Sequence, residues 1–188
     1  MNIDNLLFKN DFNRRLFLKA SICTLSSLFC GPVFSEATKQ LPEGKLTLLN
    51  IHTNDRLSVT YRKPSGEYDA EALKALDWVL RCHYSGQAIA MDKDMIEIVN
   101  IVDKKFGGNN EIHVISGYRS PEYNHLLLNE GRHVAKGSLH LVGKAIDIRI
   151  PGVDLAHLRD VALDLKLGGV GYYKSAFVHL DSGRVRTW

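Results

Sequence analysis

Two strand-like runs separated by a polar segment open the region that follows residue 45. Residues 46–52 and 57–62 are rich in leucine, threonine and other strand-forming residues, and residues 57–62 alternate between apolar and polar side chains. Residues 53–56 between them are polar and suited to a turn. Strand-forming runs joined by a short polar connection are typical of a β-hairpin, which we expect over residues 46–62.

Two segments with helical spacing of hydrophobic residues follow the predicted hairpin. The first begins after Asp69 and runs to about His83, and the second begins after Asp92 and ends at Gly107 and Gly108. The apolar faces consist of Leu73, Leu76, Val79 and Leu80 in the first segment and Met95, Ile98, Val99 and Val102 in the second. An aspartate can cap a helix and glycine commonly follows one, so both segments are predicted helices.

Shorter elements alternate along the rest of the chain. Ser120, Pro121 and Glu122 provide a capping side chain, a proline for the first helical position and an acid for the first turn, so we expect a helix there. Residues 154–165 return to helical spacing, and strands are predicted at residues 111–116, 143–150, 168–173 and 177–181. With helices first and strands concentrated late, the order favours an α+β domain, with a small antiparallel sheet flanked by helices, over a doubly wound parallel sheet.

The first 35 residues have the layout of a twin-arginine export signal. Residues 13–19 place two arginines before an aromatic-leucine pair and a lysine, and a weakly apolar run follows over residues 20–34. That run is interrupted by serines and is shorter than the roughly 20 residues that a membrane-spanning helix needs. Val33 and Ser35 are small residues suited to a cleavage site, so we expect cleavage after Ser35. Cleavage near Ala37 and an uncleaved N-terminal anchor are the alternatives.

Removal of residues 1–35 leaves a nearly neutral chain. It takes away four basic and two acidic residues, so the net charge falls from +3 to +1. We expect a polar leader over residues 36–45 and one domain over residues 46–188, with no stable membrane insertion. The absence of a Lys/Arg cluster disfavours a nucleic-acid partner. Cys82 is the only cysteine after residue 35, which excludes an intramolecular disulfide, and its place on a predicted helix favours a core role.

His140, Asp147 and His179 form the candidate chemical site. Two imidazoles and a carboxylate are ligands that catalytic zinc uses, with the fourth position left for water. We expect His140 in a loop that leads into the strand of Asp147, and His179 in the middle of another strand. The three side chains would then converge on one face of the sheet. A single histidine is more often a packed or surface residue, but the three together favour a metal site.

The segments around these residues resemble a known family. Residues 138–147, 168–173 and 177–181 resemble the murein endopeptidase K group of the D-alanyl-D-alanine carboxypeptidase-like zinc peptidases, which share a fold core with the Hedgehog signalling domain. Further similarity lies at residues 50–53, 115–120 and 186–188 and in the twin-arginine signal. The resemblance therefore covers nearly the whole chain after residue 35.

The resemblance implies a zinc ion held by His140, Asp147 and His179, and an activating role for Arg119. A guanidinium near the metal can stabilise the oxyanion that develops when a peptide carbonyl is attacked. The alternative for Arg119 is a salt bridge at the start of the helix that follows it. Positive charge is unfavourable at a helix N-terminus, which favours the functional role.

The general base of many relatives has no counterpart in this chain. The positions three and two residues before the last zinc histidine hold Ala176 and Phe177. Asp181 lies two residues after His179, so on a strand both side chains point to the same face. Asp181 can therefore accept a proton at the site, or it can orient His179 through the outer ring nitrogen. His133 is a third candidate for the base.

The expected function is a periplasmic, zinc-dependent murein endopeptidase that acts on the stem-peptide cross-links of peptidoglycan. A non-catalytic zinc-stabilised module that binds peptidoglycan or a partner remains an alternative, because the usual base is missing. A carboxypeptidase on the same scaffold is another. The sequence leaves open the type of cross-link, the physiological metal and the oligomeric state.

Overall fold

Residues 43–132 and 134–188 are the part of the chain that the computed structural model describes. The expected signal peptide over residues 1–35, most of the expected leader and His133 lie outside the described residues. In the described ranges, no helix has the length and apolar character needed to cross a membrane.

Four α-helices, one 3₁₀ helix and seven strands make up the described residues. The strands are β1 (Gly44–Asn50), β2 (Arg56–Arg62), β3 (Glu111–Ser116), β4 (Ala145–Arg149), β5 (Gly169–Tyr173), β6 (Phe177–Asp181) and β7 (Arg186–Thr187). The α-helices are α1 (Ala70–Val79), α2 (Lys93–Lys105), α3 (Pro121–Asn129) and α4 (Leu155–Leu165), and the 3₁₀ helix is Leu139–Val142.

The strands form one mixed sheet in the order β2-β1-β3-β4-β6-β5-β7. The predicted α+β class is confirmed, but the expectation of a small, antiparallel sheet is wrong, because the sheet has seven strands and two parallel pairs. Strand β3 runs parallel to β1 because α1 and α2 lie between them in the chain and return it to the same end of the sheet. The hydrophobic pattern of the sequence did not predict β7, because two residues are too few to show a period.

Side-chain caps begin the α-helices where the sequence predicts them. Asp69 accepts hydrogen bonds from the N–H groups of the first turn of α1, and Asp92 and Ser120 do the same for α2 and α3. Helix α1 ends at Val79, earlier than the expected His83. The Leu80 carbonyl accepts a 2.7 Å hydrogen bond from the Tyr118 N–H, which joins the end of α1 to the segment before α3.

Alternation along β4 and β6 separates the core from the candidate site. Ile146 and Ile148 of β4 and Val178 and Leu180 of β6 are buried in the core that the helices cover. The residue between each pair points to the other face of the sheet, because successive side chains of a strand alternate. Burial of these four apolar side chains therefore places Asp147 and His179 together on the opposite face.

A buried ion pair links β2 to α2. Arg62 Nε donates to Glu97 Oε1 at 2.7 Å, and the two side chains are 2% and 0% exposed. The hydroxyls of Tyr61 and Tyr68 donate to the same carboxylate at 2.9 and 3.0 Å. Burial, followed by the nearby Glu97 charge, raises the pKa of both tyrosines, so their hydroxyls remain donors. The carboxylate is thus bonded on both oxygens inside the core.

Replacing Glu97 with Gln should lower the free energy of unfolding by about 3–5 kcal/mol, because Arg62 would remain buried without a counter-charge. Urea unfolding followed by circular dichroism measures the change. Glu67→Gln is the matched control, since Glu67 pairs with Lys63 at an exposed site and should change stability by less than about 1 kcal/mol. Equal losses in the two variants would contradict the importance of the buried pair.

Candidate metal centre

His140, Asp147 and His179 come together at one buried point. Asp147 and His179 are register partners on the antiparallel strands β4 and β6, and His140 lies on the 3₁₀ helix that precedes β4. Asp147 Oδ1 lies 2.7 Å from His179 Nδ1 and 3.3 Å from His140 Nε2. His140 Nε2 and His179 Nδ1 are 3.2 Å apart. One atom from each residue therefore faces a shared centre, with all three atoms within 4.8 Å of one another.

The 3₁₀ helix that carries His140 is held at both ends. Ser138 caps it by accepting a hydrogen bond from the His140 N–H, and Gly143 ends it with a φ of 68°. That left-handed conformation favours glycine. The Gly143 carbonyl accepts from the Asp92 N–H at 3.0 Å, and the His140 carbonyl accepts from the Arg119 N–H at 3.1 Å. The backbone around His140 is thus tied to α2 and to the segment that carries Arg119.

The outer nitrogen of each histidine is held by an acceptor. His140 Nδ1 lies 2.7 Å from the Gly117 carbonyl, and His179 Nε2 lies 3.1 Å from Asp181 Oδ2. A carbonyl and a carboxylate only accept hydrogen bonds, so both outer nitrogens must be the donors. In the neutral rings, His140 Nε2 and His179 Nδ1 then carry lone pairs that point at Asp147.

Three acceptor atoms that face one another at 2.7–3.3 Å are repulsive unless they share a cation or a proton. The pKa values of Asp147 and His179 agree with a shared cation or proton. Burial opposes the shift, but contacts with His140 and His179 hold the pKa of Asp147 well below its usual range. Burial likewise opposes the raised pKa of His179, which results from its hydrogen bonds to Asp147 and Asp181. The donor set fits a divalent ion of the zinc type, with a position left for another ligand.

Arg119 lies beside the three-residue cluster. Its side chain is buried, with Nη2 at 3.9 Å from Asp147 Oδ2 and Nη1 donating to Asn124 Oδ1 at 3.4 Å. The Nε–H group is buried and has no hydrogen-bond partner among the described residues. Asn124 also donates to the Ala135 carbonyl at 3.2 Å, so it connects Arg119 to the segment before the 3₁₀ helix. The Nη2 end of the Arg119 guanidinium therefore lies next to the candidate metal site.

Asp181 lies behind His179, away from the shared centre. Its Oδ1 accepts hydrogen bonds from the Gly169 and Gly183 N–H groups at 3.2 and 2.9 Å. Arg186 donates to Oδ1 at 2.9 Å and to Oδ2 at 2.7 Å. Burial opposes the shift, but hydrogen bonds from His179 and Arg186 lower the pKa of Asp181 to about 2. Both oxygens are therefore occupied by donors in the described structure.

The cluster lies in a pocket of about 350 Å³ with an aromatic wall. Tyr173 and Phe177 stack at 4.5 Å, and the Trp188 indole donates to the Tyr173 hydroxyl at 3.3 Å. The indole also lies 5.2 Å from the His179 ring. A Cβ at Gly171 would come within 2.8 Å of the indole, so glycine is required there for the ring to lie against β5. Asp147 is the only carboxylate among the described residues that line the pocket.

The structure brings His140, Asp147, His179 and Arg119 together, as the sequence analysis expects. His140 lies on a 3₁₀ helix rather than in an irregular loop, and Asp181 contacts the outer nitrogen of His179 instead of the shared centre. Sequence reasoning attached no role to four residues that shape the site, which are Asn124, Tyr173, Arg186 and Trp188. The similarity at residues 168–173 and 186–188 was the signal that included three of them, Tyr173, Arg186 and Trp188.

Known proteins resemble the chain over most of its length. Residues 37–188 match the peptidase M15 family model described as peptidoglycan L,D-endopeptidase MepK. The chain is 41% identical over 145 residues to the probable peptidoglycan L,D-endopeptidase MepK of Haemophilus influenzae, covering 76% of this chain and 77% of that protein. It is 34% identical over 183 residues to the peptidoglycan L,D-endopeptidase MepK of Escherichia coli K12, covering 96% and 99%. These matches confirm the resemblance inferred from the motifs, and the chain belongs to the MepK family of M15 peptidases.

Proposed function

We propose that this chain is a zinc-dependent peptidoglycan endopeptidase that hydrolyses an amide bond between L- and D-configured centres in the peptide cross-links. The observation that carries the proposal is the convergence of two histidine lone pairs and one carboxylate oxygen in a pocket that also contains Arg119. The family match and the names of the relatives support the substrate class.

His140, Asp147 and His179 would hold the ion through Nε2, Oδ1 and Nδ1. When bound, the ion would supply a Lewis acid that polarises the scissile carbonyl and lowers the pKa of a coordinated water. The chain supplies orientation, because the Gly117 carbonyl and the Asp181 carboxylate hold the outer ring nitrogens. Rings that are oriented before the ion binds lose little freedom on binding.

Arg119 would stabilise the negative charge that develops on the scissile carbonyl oxygen. Arg119 lines the pocket, and its guanidinium is held beside Asp147 by Asn124. A charged donor that is fixed in a buried site stabilises such charge without reorganising during the reaction. A purely binding module has no need for this arrangement, so Arg119 favours the enzyme over the non-catalytic alternative.

Asp181 has the role of orienting His179 in this proposal, rather than that of general base. Five donors from four residues already surround its two oxygens, and one of them is His179 Nε2. A base must come within hydrogen-bond reach of the proton that it accepts, directly or through one water. In the described geometry, the His179 ring stands between Asp181 and the shared centre.

The pocket favours an endopeptidase over a carboxypeptidase. A carboxypeptidase needs a free cation that captures the terminal carboxylate of its substrate. Of the two arginines among the described residues that line the pocket, Arg186 is paired with Asp181, and Arg119 lies beside Asp147, where this proposal assigns it to the scissile carbonyl oxygen. The aromatic wall, defined by Tyr173, Phe177 and Trp188, suits a continuous peptide that passes along the site.

The proposed place of action is the periplasm. Export through the twin-arginine pathway, with cleavage after Ser35, is the proposed route and rests on the twin arginine and the apolar run of residues 13–34. Peptidoglycan lies outside the cytoplasmic membrane, so an enzyme with this substrate has to be exported.

Digestion of purified sacculi tests the proposed activity and its metal dependence. Metal-loaded protein should convert cross-linked muropeptide dimers to monomers, as measured by liquid chromatography and mass spectrometry, and chelation should abolish the conversion. Unchanged dimers under conditions in which a known endopeptidase works would contradict the proposal.

Metal should stabilise the fold through His140. At a free zinc concentration about 1,000 times the Kd, the free energy of unfolding should rise by about 4 kcal/mol over that of metal-free protein. His140→Ala should remove this gain, while His125→Ala, at an exposed position on α3, should keep it. Denaturant unfolding with and without zinc measures both. An equal zinc effect in the two variants would exclude His140 as a ligand.

Arg119→Lys should lower kcat by about 10²- to 10³-fold while zinc content remains equimolar, because lysine cannot reproduce the planar donor fork. Steady-state cleavage of a cross-linked muropeptide gives kcat, and atomic absorption gives the zinc content. Arg132→Lys, which changes an exposed arginine shortly after α3, is the control. A variant with wild-type kcat would show that Arg119 is only structural.

Asp181→Asn separates the two roles of this carboxylate. If Asp181 orients His179, the variant should bind zinc about 10- to 100-fold more weakly and recover a kcat close to wild type at saturating zinc. Chelator competition and kinetics at graded free zinc measure the two quantities. Loss of kcat by more than about 100-fold at full zinc occupancy would instead identify Asp181 as the base.

A further inference from the structure

Arg186 approaches Asp181 with both arms of its guanidinium. Nη1 lies 2.9 Å from Oδ1 and Nη2 lies 2.7 Å from Oδ2, which is a bidentate pair. The carboxylate is fully buried, while the arginine side chain is 32% exposed. Arg186 is therefore the cation that compensates the Asp181 charge.

The Arg186–Asp181 pair is tightly packed against the neighbouring backbone. A Cβ at Gly169 would collide with both the Asp181 carboxyl group and the Arg186 guanidinium. The Gly169 and Gly183 N–H groups bind Oδ1, so the orientation of Oδ2 depends on Arg186 and on His179. Without Arg186, the acceptor of the His179 Nε2 proton loses its charge partner and its fixed direction.

The same guanidinium also lies over an aromatic ring. Arg186 Cζ lies 4.8 Å from the centre of the Trp188 ring, and the indole lies 5.2 Å from the His179 ring. An arginine can bind a carboxylate with its edge and stack on an aromatic ring with its face, whereas the ammonium group of lysine cannot do both. Arg186 thus contacts both Asp181, which holds the outer nitrogen of His179, and Trp188 in the aromatic wall of the pocket.

We propose that Arg186 is a positioning residue that prepares His179 for the metal through Asp181 and holds Trp188 as a wall of the pocket. The inference rests on the proposed function for its effect on catalysis. The chain of contacts runs from the guanidinium to Asp181, from Asp181 to His179 Nε2, and from His179 Nδ1 to the shared centre.

A merely structural role has to be distinguished from this one. The backbone of Arg186 pairs with Gly169 in the parallel β5 and β7 strands, so a substitution can also loosen the end of the sheet. Loss of stability alone therefore does not support the proposal. Zinc affinity does, because it reports how well the His179 ring is oriented for the ion.

The first test is zinc affinity, measured by chelator competition. Arg186→Lys and, as a second variant, Arg186→Gln should each bind zinc about 10- to 100-fold more weakly than wild type. Arg184→Lys, at an exposed neighbouring position, is the matched control and should keep the wild-type affinity. Losses below about fivefold in both folded Arg186 variants would overturn the proposal.

A double-mutant cycle with Asp181→Asn shows whether Arg186 acts through Asp181. If it does, Arg186→Lys should add less than about threefold to the loss of zinc affinity already caused by Asp181→Asn. Two losses that multiply in full would show independent effects and would overturn the proposal.

The contact between Arg186 and Trp188 is tested by a separate measurement. Arg186→Lys should raise the accessibility of the Trp188 indole to acrylamide quenching and raise KM, in a Trp78→Phe background that leaves Trp188 as the only tryptophan. Unchanged quenching would overturn this part of the proposal. Failure of the proposed function remains distinguishable, because wild-type protein that does not cleave sacculi would still give the affinity and quenching results.

Discussion

The pairing of β4 with β6 is the constraint on which the candidate metal centre depends. Asp147 and His179 are direct register partners, and the apolar residues on either side of each are buried in the core. A slip of one residue would turn one of the two side chains toward the core and expose apolar surface in its place. The hydrophobic effect thus places two of the candidate ligands, although it acts on the opposite face of the sheet.

Contacts at the outer ring nitrogens orient the two histidines of the candidate site. A backbone carbonyl orients His140 and a carboxylate orients His179, and each acceptor comes from a different part of the chain. The inner atoms therefore converge as acceptors, which is unfavourable in isolation and becomes favourable when a cation binds. Arg119 and Arg186 are placed differently around this cluster, because the first lines the pocket beside Asp147 and the second stands behind His179. The charge of Arg186 is compensated by Asp181, whereas Arg119 lies 3.9 Å from Asp147.

Local interactions explain what the sequence by itself determined. The caps at Asp69, Asp92 and Ser120 are side-chain contacts with backbone groups two or three residues away, so they can be predicted without a fold. The ligand types of the candidate metal centre could also be predicted, because two imidazoles and a carboxylate are ligands that catalytic zinc uses. The motifs around them extended this to the family, which the matches to known proteins confirm.

Contacts between distant residues decided the rest. The parallel pairing of β1 with β3, the direction in which Asp181 points and the place of Trp188 against Gly171 all depend on segments far apart in the chain. Spacing showed that Asp181 shares a face with His179, but only the packed structure shows that Arg186 and two backbone N–H groups hold it behind the ring. Periodicity assigns a side chain to a face of a strand; the neighbours that fix its direction on that face are brought there by tertiary packing.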